Sequence, residues 1–324
     1  MNTSVPCTIP CNLCGSEDAE QIRSKDRHGA HLRSVICRQC GLVWTDPRPA
    51  PEQVREFYAQ EYRLDFKGTY QPKPKHTYRS GKVAVERYQR LRDVLKPGMR
   101  VLDVGAGGGE VVYVLRSMGY DATGFEPNEG YARYAAEVLG LPVRQGFHQD
   151  CPVEPESQDV VTMFHMVEHL ENPFGALRNV HGWLRPEGLL VVEVPNAEAV
   201  CQQPHTQFHR GHLYHFNLAA LEKTGERAGF TVVSRFTSAD GGNIMVVWRK
   251  GASSSPPSSW AIPGNYERVS EVLRSHTALR HVFSRYPFIR PFRKLASGLE
   301  EQRRVRMYRT PRDILDAVIA ENAR

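Results

Sequence analysis

Val101-Leu102-Asp103-Val104-Gly105-Ala106-Gly107-Gly108-Gly109-Glu110 is a β-branched apolar run that ends in four glycines and then opens a helical spacing. It reads as a strand, a tight turn and a helix start. Glycines at this place let the backbone approach a ligand at the carboxyl end of the strand. A dinucleotide fold would show G-x-G-x-x-G, but counted from Gly105 the sixth position is Glu110. Asp103 inside the turn would also repel a pyrophosphate, and it suits a cationic ligand better. The next apolar run, 122–125, leads straight into Glu126 of Gly124-Phe125-Glu126-Pro127-Asn128. A carboxylate there can accept both ribose hydroxyls of a nucleoside.

Outward from this motif, strands and helices alternate. Helical spacing covers 110–118, 129–139, 176–184 and 218–228, and strand-like runs cover 143–145, 159–164 and 188–194. That alternation implies a parallel sheet with helices on both faces. Two final runs, 230–236 and 244–248, are separated by seven residues around Asp240-Gly241-Gly242. The gap is too short for a crossover helix, so this pair must be an antiparallel hairpin. The expected fold is α/β: a doubly wound, mostly parallel, seven-stranded Rossmann-like sheet with a C-terminal antiparallel hairpin. The sheet domain spans 96–250. Before it lie a cysteine module, 1–50, and a helical connector, 51–95. After it come a Ser/Pro linker, 251–260 (GASSSPPSSW), and a basic helical tail, 261–324.

Asp103-x-Gly105-x-Gly107-x-Gly109 together with Glu126 resembles the class I S-adenosylmethionine-dependent methyltransferases, over roughly residues 96–250. The resemblance implies that Gly105, Gly107 and Gly109 wrap the amino-acid part of S-adenosylmethionine, that Asp103 supports the turn, and that Glu126, followed by Pro127, holds the ribose. Such enzymes often carry an acid after the third strand for the adenine. Here that stretch is Gln145-Gly146-Phe147-His148-Gln149-Asp150, so Phe147 is the expected adenine contact and the acid is displaced to Asp150 or absent.

Phe164-His165-Met166-Val167-Glu168-His169 follows the fourth strand, where the resemblance would put the sulfonium. Phe164 and His165 are therefore expected at the cofactor. The His-x-x-Glu-His pattern is similar to that of many small-molecule methyltransferases, and in several sugar methyltransferases a histidine at the place of His169 is the proposed general base. Methyl transfer to a hydroxyl needs alignment and removal of one proton, and imidazole titrates in the useful range. Structural bracing by Glu168 and His169 is the plainer alternative, and cation binding, as in some quinone-type O-methyltransferases, is a third. Downstream, His205, His209, His212 and His215 fall within eleven residues, among Phe208, Tyr214 and Phe216. Gly211-His212-Leu213-Tyr214-His215-Phe216 resembles an acceptor-side segment of related enzymes, with His212 as a second candidate base. The alternative is that His212 and Tyr214 pack the insert while Asn217 caps the next helix.

Cys11-Asn12-Leu13-Cys14-Gly15 and Cys37-Arg38-Gln39-Cys40-Gly41 are two C-x-x-C-G knuckles. Four thiolates give closed tetrahedral coordination, which is a structural Zn2+ site. Such a module ahead of this domain resembles methyltransferases of deoxysugar and natural-product pathways, as do Cys37 to Pro49, Phe57-Tyr58 and Tyr62. Five Lys/Arg in and between the knuckles (Arg23, Lys25, Arg27, Arg33, Arg38) barely outnumber the acids, too weak a stripe for nucleic acid.

The 324 residues carry a net charge of +6, and the surplus is local: residues 261–324 hold thirteen Lys/Arg against seven Asp/Glu. The tail therefore offers either an attraction to phosphate or a membrane surface, or an apolar side for packing or homodimerisation. The longest apolar stretch, near 188–194, is far short of the roughly 18–20 residues of a membrane span. MNTSVPCTIP lacks the regions of an export signal, which with reduced cysteines leads to a cytoplasmic expectation. The function expected is methyl transfer from S-adenosylmethionine to an oxygen or carbon of a small, sugar-like or nucleotide-linked acceptor. The alternatives are methylation of RNA or protein, and an inactive zinc-containing scaffold.

Overall fold

Residues 101–104 lie inside a seven-stranded sheet, third strand from one edge, where a run apolar on both faces is covered: Val101, Leu102 and Val104 are all buried. The computed structural model describes residues 9–61, 69, 71–251 and 259–322. Cys7, Tyr62 and most of the Ser/Pro linker lie outside the described residues. In chain order the strands are β1 (Ala19–Lys25), β2 (His31–Cys37), β3 (Val43–Thr45), β4 (Arg100–Val104), β5 (Asp121–Glu126), β6 (Val143–Gln145), β7 (Gln158–Phe164), β8 (Leu184–Pro195), β9 (Tyr214–His215), β10 (Phe230–Thr237) and β11 (Asn243–Lys250). The helices are α1 (Pro51–Glu56), α2 (Pro74–Leu91), α3 (Glu110–Ser117), α4 (Glu129–Arg133), α5 (Pro173–Trp183), α6 (Leu218–Arg227), α7 (Asn265–Ser275), α8 (Ala278–Val282), α9 (Tyr286–Val305) and α10 (Pro311–Asn322). A wider π-type turn continues α1 over Phe57–Glu61 and α4 over Tyr134–Val138.

The large sheet runs β10-β11-β8-β7-β4-β5-β6. β4 pairs in parallel with β5 and β7, and β5 in parallel with β6. β11 is antiparallel to both β8 and β10, so the expected hairpin closes the sheet with its second strand inserted. No helix of the described residues is long and apolar enough to cross a membrane.

By backbone contacts the chain divides into two compact units, Met1–Val54 with Met163–Phe288, and Arg55–Thr162 with Ile289–Arg324. In the first unit the cysteine module forms a second, four-stranded antiparallel sheet, β1-β2-β3-β9. Its last strand is not local. Tyr214 and His215 of the histidine-rich insert pair with Trp44 and Val43. Sequence periodicity alone reads 197–216 as loop, because a two-residue strand has no period to detect. α7 packs on this sheet around Ile36, Val43, Phe208, Val269 and Leu273. In the second unit α10 lies on α2 and α3, around Tyr78, Ala84, Val85, Val114, Ile314 and Val318. Gly81 permits the close crossing, since a Cβ there would stand 2.7 Å from Leu315 Cδ2. The basic tail is therefore no body of its own: its first and last helices each complete a core begun far upstream.

Candidate active site

The first cluster of interest grows out of the β4 turn. Gly105, Gly107 and Gly109 all have positive φ (83°, 58° and 86°), a conformation that side chains with a Cβ rarely adopt. Gly105 N and Ala106 N both donate to Phe125 O, which ties the turn to the end of β5. Glu126 is buried there, and its carboxylate accepts from Gly107 N at 2.8 Å and Asn128 N at 3.1 Å. The acid therefore points into the turn. Pro127, half-buried, precedes Asn128, whose side chain caps α4 by accepting from Tyr131 N at 3.1 Å.

Asp103 is buried beneath the same turn and accepts from Thr162 Oγ1 at 2.6 Å. Burial pushes its carboxyl up to about 6; the Thr162 hydrogen bond works the other way. A carboxyl whose folded pKa exceeds its unfolded value binds more protons when folded, so its contribution to stability falls as pH rises. The window runs from about 4 in the unfolded chain to about 6 in the fold. Asp103→Asn keeps an acceptor for Thr162 without a charge. It is expected to be more stable than the parent at neutral pH by about 2–3 kcal/mol, with the gap closing below about pH 4. Urea unfolding across this range checks it, and a gap that widens toward acid would refute the assignment.

Phe147 is half-buried beneath the Arg55 guanidinium, 4.5 Å from its ring centroid, and Arg55 also pairs with Asp150. The displaced acid is thus held by Arg55, a residue that sequence spacing did not single out. Neighbouring His148 is buried, and that burial lowers its pKa to about 4.

A second cluster follows β7. Phe164 is buried, and His165 takes a left-handed backbone with φ 51°, uncommon for a residue with a Cβ and often found at functional sites. Its Nε2 lies 3.2 Å from Glu193 Oε1 and its Nδ1 lies 3.5 Å from Glu168 Oε1. Glu193 was missed in the sequence, although a lone acid inside the buried run Leu189-Leu190-Val191-Val192-Glu193-Val194 was a visible signal. His169 is buried and its Nδ1 lies 2.5 Å from Gly211 O. A carbonyl only accepts, so Nδ1 carries the hydrogen and Nε2 of the neutral ring presents its lone pair. That Nε2 is 3.8 Å from Glu168 Oε1. The cap of α5 is Asn172, which accepts from Gly175 N at 2.9 Å.

The insert delivers His212 beside His169, with ring centroids 5.0 Å apart, and His209 meets His212 in a tilted contact with centroids 3.9 Å apart. Burial lowers the pKa of His209 to about 2 and of His215 to about 3, and it holds His212 well below its ordinary value. Neither Glu168 carboxylate oxygen nor His212 Nδ1 has a hydrogen-bond partner among the described residues. One donor atom each from Glu168, His169 and His212 lies within 4.8 Å of the others, close enough to share a cation. Local spacing finds no carboxylate for these histidines. The fold supplies Glu168 from a segment more than forty residues upstream. Asn217 accepts from Ala220 N and so caps α6, as expected.

The four knuckle cysteines converge. One sulfur from each of Cys11, Cys14, Cys37 and Cys40 lies within 4.8 Å of the rest, with Cys11–Cys40 and Cys14–Cys37 Sγ atoms both 3.4 Å apart. None is in a disulfide. Buried thiolates this close repel one another unless a cation sits among them, and a soft S4 set suits Zn2+.

Residues 76–235 match the family described as a methyltransferase domain. The chain is 30% identical over 163 residues to a ubiquinone biosynthesis O-methyltransferase of Paramagnetospirillum magneticum, covering 46% of this chain and 65% of that one. A protein of the same name from Ruegeria pomeroyi is 34% identical over 104 residues, covering 31% of this chain and 42% of the relative. The chain therefore spans less than two thirds of the length of these curated relatives. Among solved structures, the Haloferax volcanii complex of a methyltransferase with the activator Trm112 matches with a TM-score of 0.50 at 16% identity, covering 63% of this chain and all of that one. At such identity the likeness concerns the fold alone. With the β4 glycine turn, the acid ending β5 and the inserted hairpin strand in place, residues 76–235 form a methyltransferase domain of the class I, S-adenosylmethionine-dependent kind.

Proposed function

We propose that the protein methylates a hydroxyl oxygen of a small acceptor, with His169 as the general base and S-adenosylmethionine as the donor. The observation that carries this reading is Glu126, buried and aimed into a left-handed glycine turn. Such a carboxylate can exchange its Gly107 amide contact for ribose hydroxyls, and the turn leaves backbone room for the amino-acid moiety. When bound, the donor supplies an activated methyl group on a positive sulfur, which needs no further activation by the protein. The chain's own work is then to bind, to align and to accept one proton. β7 is parallel to β4 and next to it in the sheet. The relatives named above are O-methyltransferases, which favours oxygen over carbon as the acceptor atom. Four converging cysteines support a structural Zn2+ site apart from the chemistry.

Calorimetric titration with S-adenosylhomocysteine tests the donor site. Glu126→Ala removes two charge-assisted hydrogen bonds to the ribose, each worth about 1.5–3 kcal/mol, so affinity is expected to fall by about 10²- to 10⁴-fold. Glu126→Gln retains an acceptor for Gly107 N and is expected to lose about tenfold. No binding by the parent chain, or a loss under threefold in Glu126→Ala, would sink the reading. Label transfer to a panel of phenols and nucleotide-linked sugars then separates acceptor classes.

A further inference from the structure

The N-terminal two thirds of α9 joins no hydrophobic core among the described residues. Phe288, Phe292, Leu295 and Leu299 are all exposed, Phe292 by 73% and Phe288 by 65%. Their spacing is i, i+4, i+7 and i+11, which at about 100° per residue gathers them on one narrow stripe. Residues 291–297 are exposed on every side of the helix. The only acids of α9, Glu300 and Glu301, lie in its last third. There Glu301 pairs with Arg79 and Glu300 accepts from Tyr78 Oη, so that end is docked on α2. The free-standing part has its own charge pattern. From residue 286 to residue 299 there is no Asp or Glu, but there are Arg290, Arg293 and Lys294.

We propose that the stripe of α9 seats the protein on an anionic lipid surface, with Phe288, Phe292, Leu295 and Leu299 entering the acyl boundary and Arg290, Arg293 and Lys294 reaching the phosphate headgroups. An exposed helix that joins Phe and Leu on one face to Arg and Lys on the other suits a charged interface. The charge decides the occupant. A second copy of the chain meeting this stripe would bring another acid-free basic segment around a four-residue seam, with like charges facing each other. An anionic bilayer answers the same charges with phosphates, each basic residue near the surface strengthening the attraction about fivefold. Long Arg and Lys stems let the heads rise to the headgroups while the apolar side chains stay below.

The test is co-sedimentation of the full chain with phosphatidylcholine vesicles, with and without phosphatidylglycerol, at low and high salt. Binding is expected only with phosphatidylglycerol and is expected to weaken with salt. The double variant Phe292→Glu/Leu295→Glu should lose at least tenfold in partitioning, and Arg293→Gln/Lys294→Gln about tenfold. These side chains are exposed, so circular dichroism and S-adenosylhomocysteine binding should match the parent. Absence of binding to phosphatidylglycerol vesicles, or binding unchanged in the Phe292/Leu295 variant, overturns the proposal. So does a concentration-dependent dimer in sedimentation velocity that disappears in that variant, since it would give the stripe to a second copy.

Discussion

Cys37→Ser is expected to bring bound zinc below a tenth of an equivalent at this site and to lower the thermal midpoint by about 10 °C or more. Structural Zn2+ supplies about 10–16 kcal/mol of folding free energy in small zinc peptides, comparable with the whole stability of an ordinary domain, about 5–15 kcal/mol. Here the knuckles hold more than themselves. Arg227 of α6 donates to Asn12 O at 2.6 Å and Leu13 O at 2.8 Å, and its guanidinium lies 3.9 Å from the centroid of Phe174. Asn265 at the start of α7 donates to Cys40 O at 2.7 Å and to Asn217, which caps α6. Gly41 must stay glycine for the same packing, because its φ is +72° and a Cβ would stand 2.6 Å from Asn265 Nδ2. Loss of the metal would therefore loosen α6, α7 and the β3–β9 pairing together. Elemental analysis and thermal unfolding of Cys37→Ser read both effects. Cys151→Ser, at a cysteine outside the cluster, should keep its zinc and its midpoint. A Cys37→Ser protein that retains one zinc and unfolds within 2 °C of the parent would show that the four sulfurs are not a metal centre.

What the sequence disclosed and what it hid differ by the range of the interactions involved. The β4 turn, Glu126 and the β10–β11 hairpin were readable because each is written in consecutive residues: glycines where φ is positive, an acid at a strand's end, a gap too short for a helix. The knuckles were readable because two thiols on one turn are a local pattern that the fold has only to bring together. By contrast, β9 is two residues long and exists because Trp44 and Val43 offer an edge about 170 residues upstream. Glu193 looked like strand filler until His165 came to rest against it. Glu168, His169 and His212 meet only because the insert returns to the segment after β7, with Leu213 N donating to Glu168 O and Gly211 O accepting from His169. The tail shows the same limit, since its apolar faces are readable but the cores they join are not. Its composition is uniform and basic, but its helices are sorted by single apolar faces, Val269 and Leu273 to one core and Ile314 and Val318 to another.

The same convergence separates the two histidines that the sequence left as equal candidates. His212 is a poor base: burial, reinforced by the neighbouring imidazoles, keeps it neutral well below the ordinary range, and the charged form has nowhere to be solvated. His169 is better placed. The Gly211 carbonyl fixes its tautomer, so the lone pair sits on Nε2, and Glu168 Oε1 lies 3.8 Å from that atom to offset the charge formed on proton uptake. Neither carboxylate oxygen of Glu168 has a hydrogen-bond partner among the described residues, and Oε1 lies 3.5 Å from His165 Nδ1 as well. His169→Ala is accordingly expected to lower kcat for labelled methyl transfer by about 10²- to 10⁴-fold, with S-adenosylhomocysteine affinity within threefold of the parent. His212→Ala should stay within tenfold, and Glu168→Gln should fall between the two. The pH profile of kcat in the parent should rise with a single ionisation that is absent from His169→Ala, a signature that a purely structural histidine would not give. Retention of more than a third of kcat by His169→Ala would refute the base assignment. A second equivalent of bound metal, lost in Glu168→Gln while the cysteine-bound one persists, would give the three side chains to a cation instead, because His169 Nε2 cannot both ligate and accept the acceptor's proton.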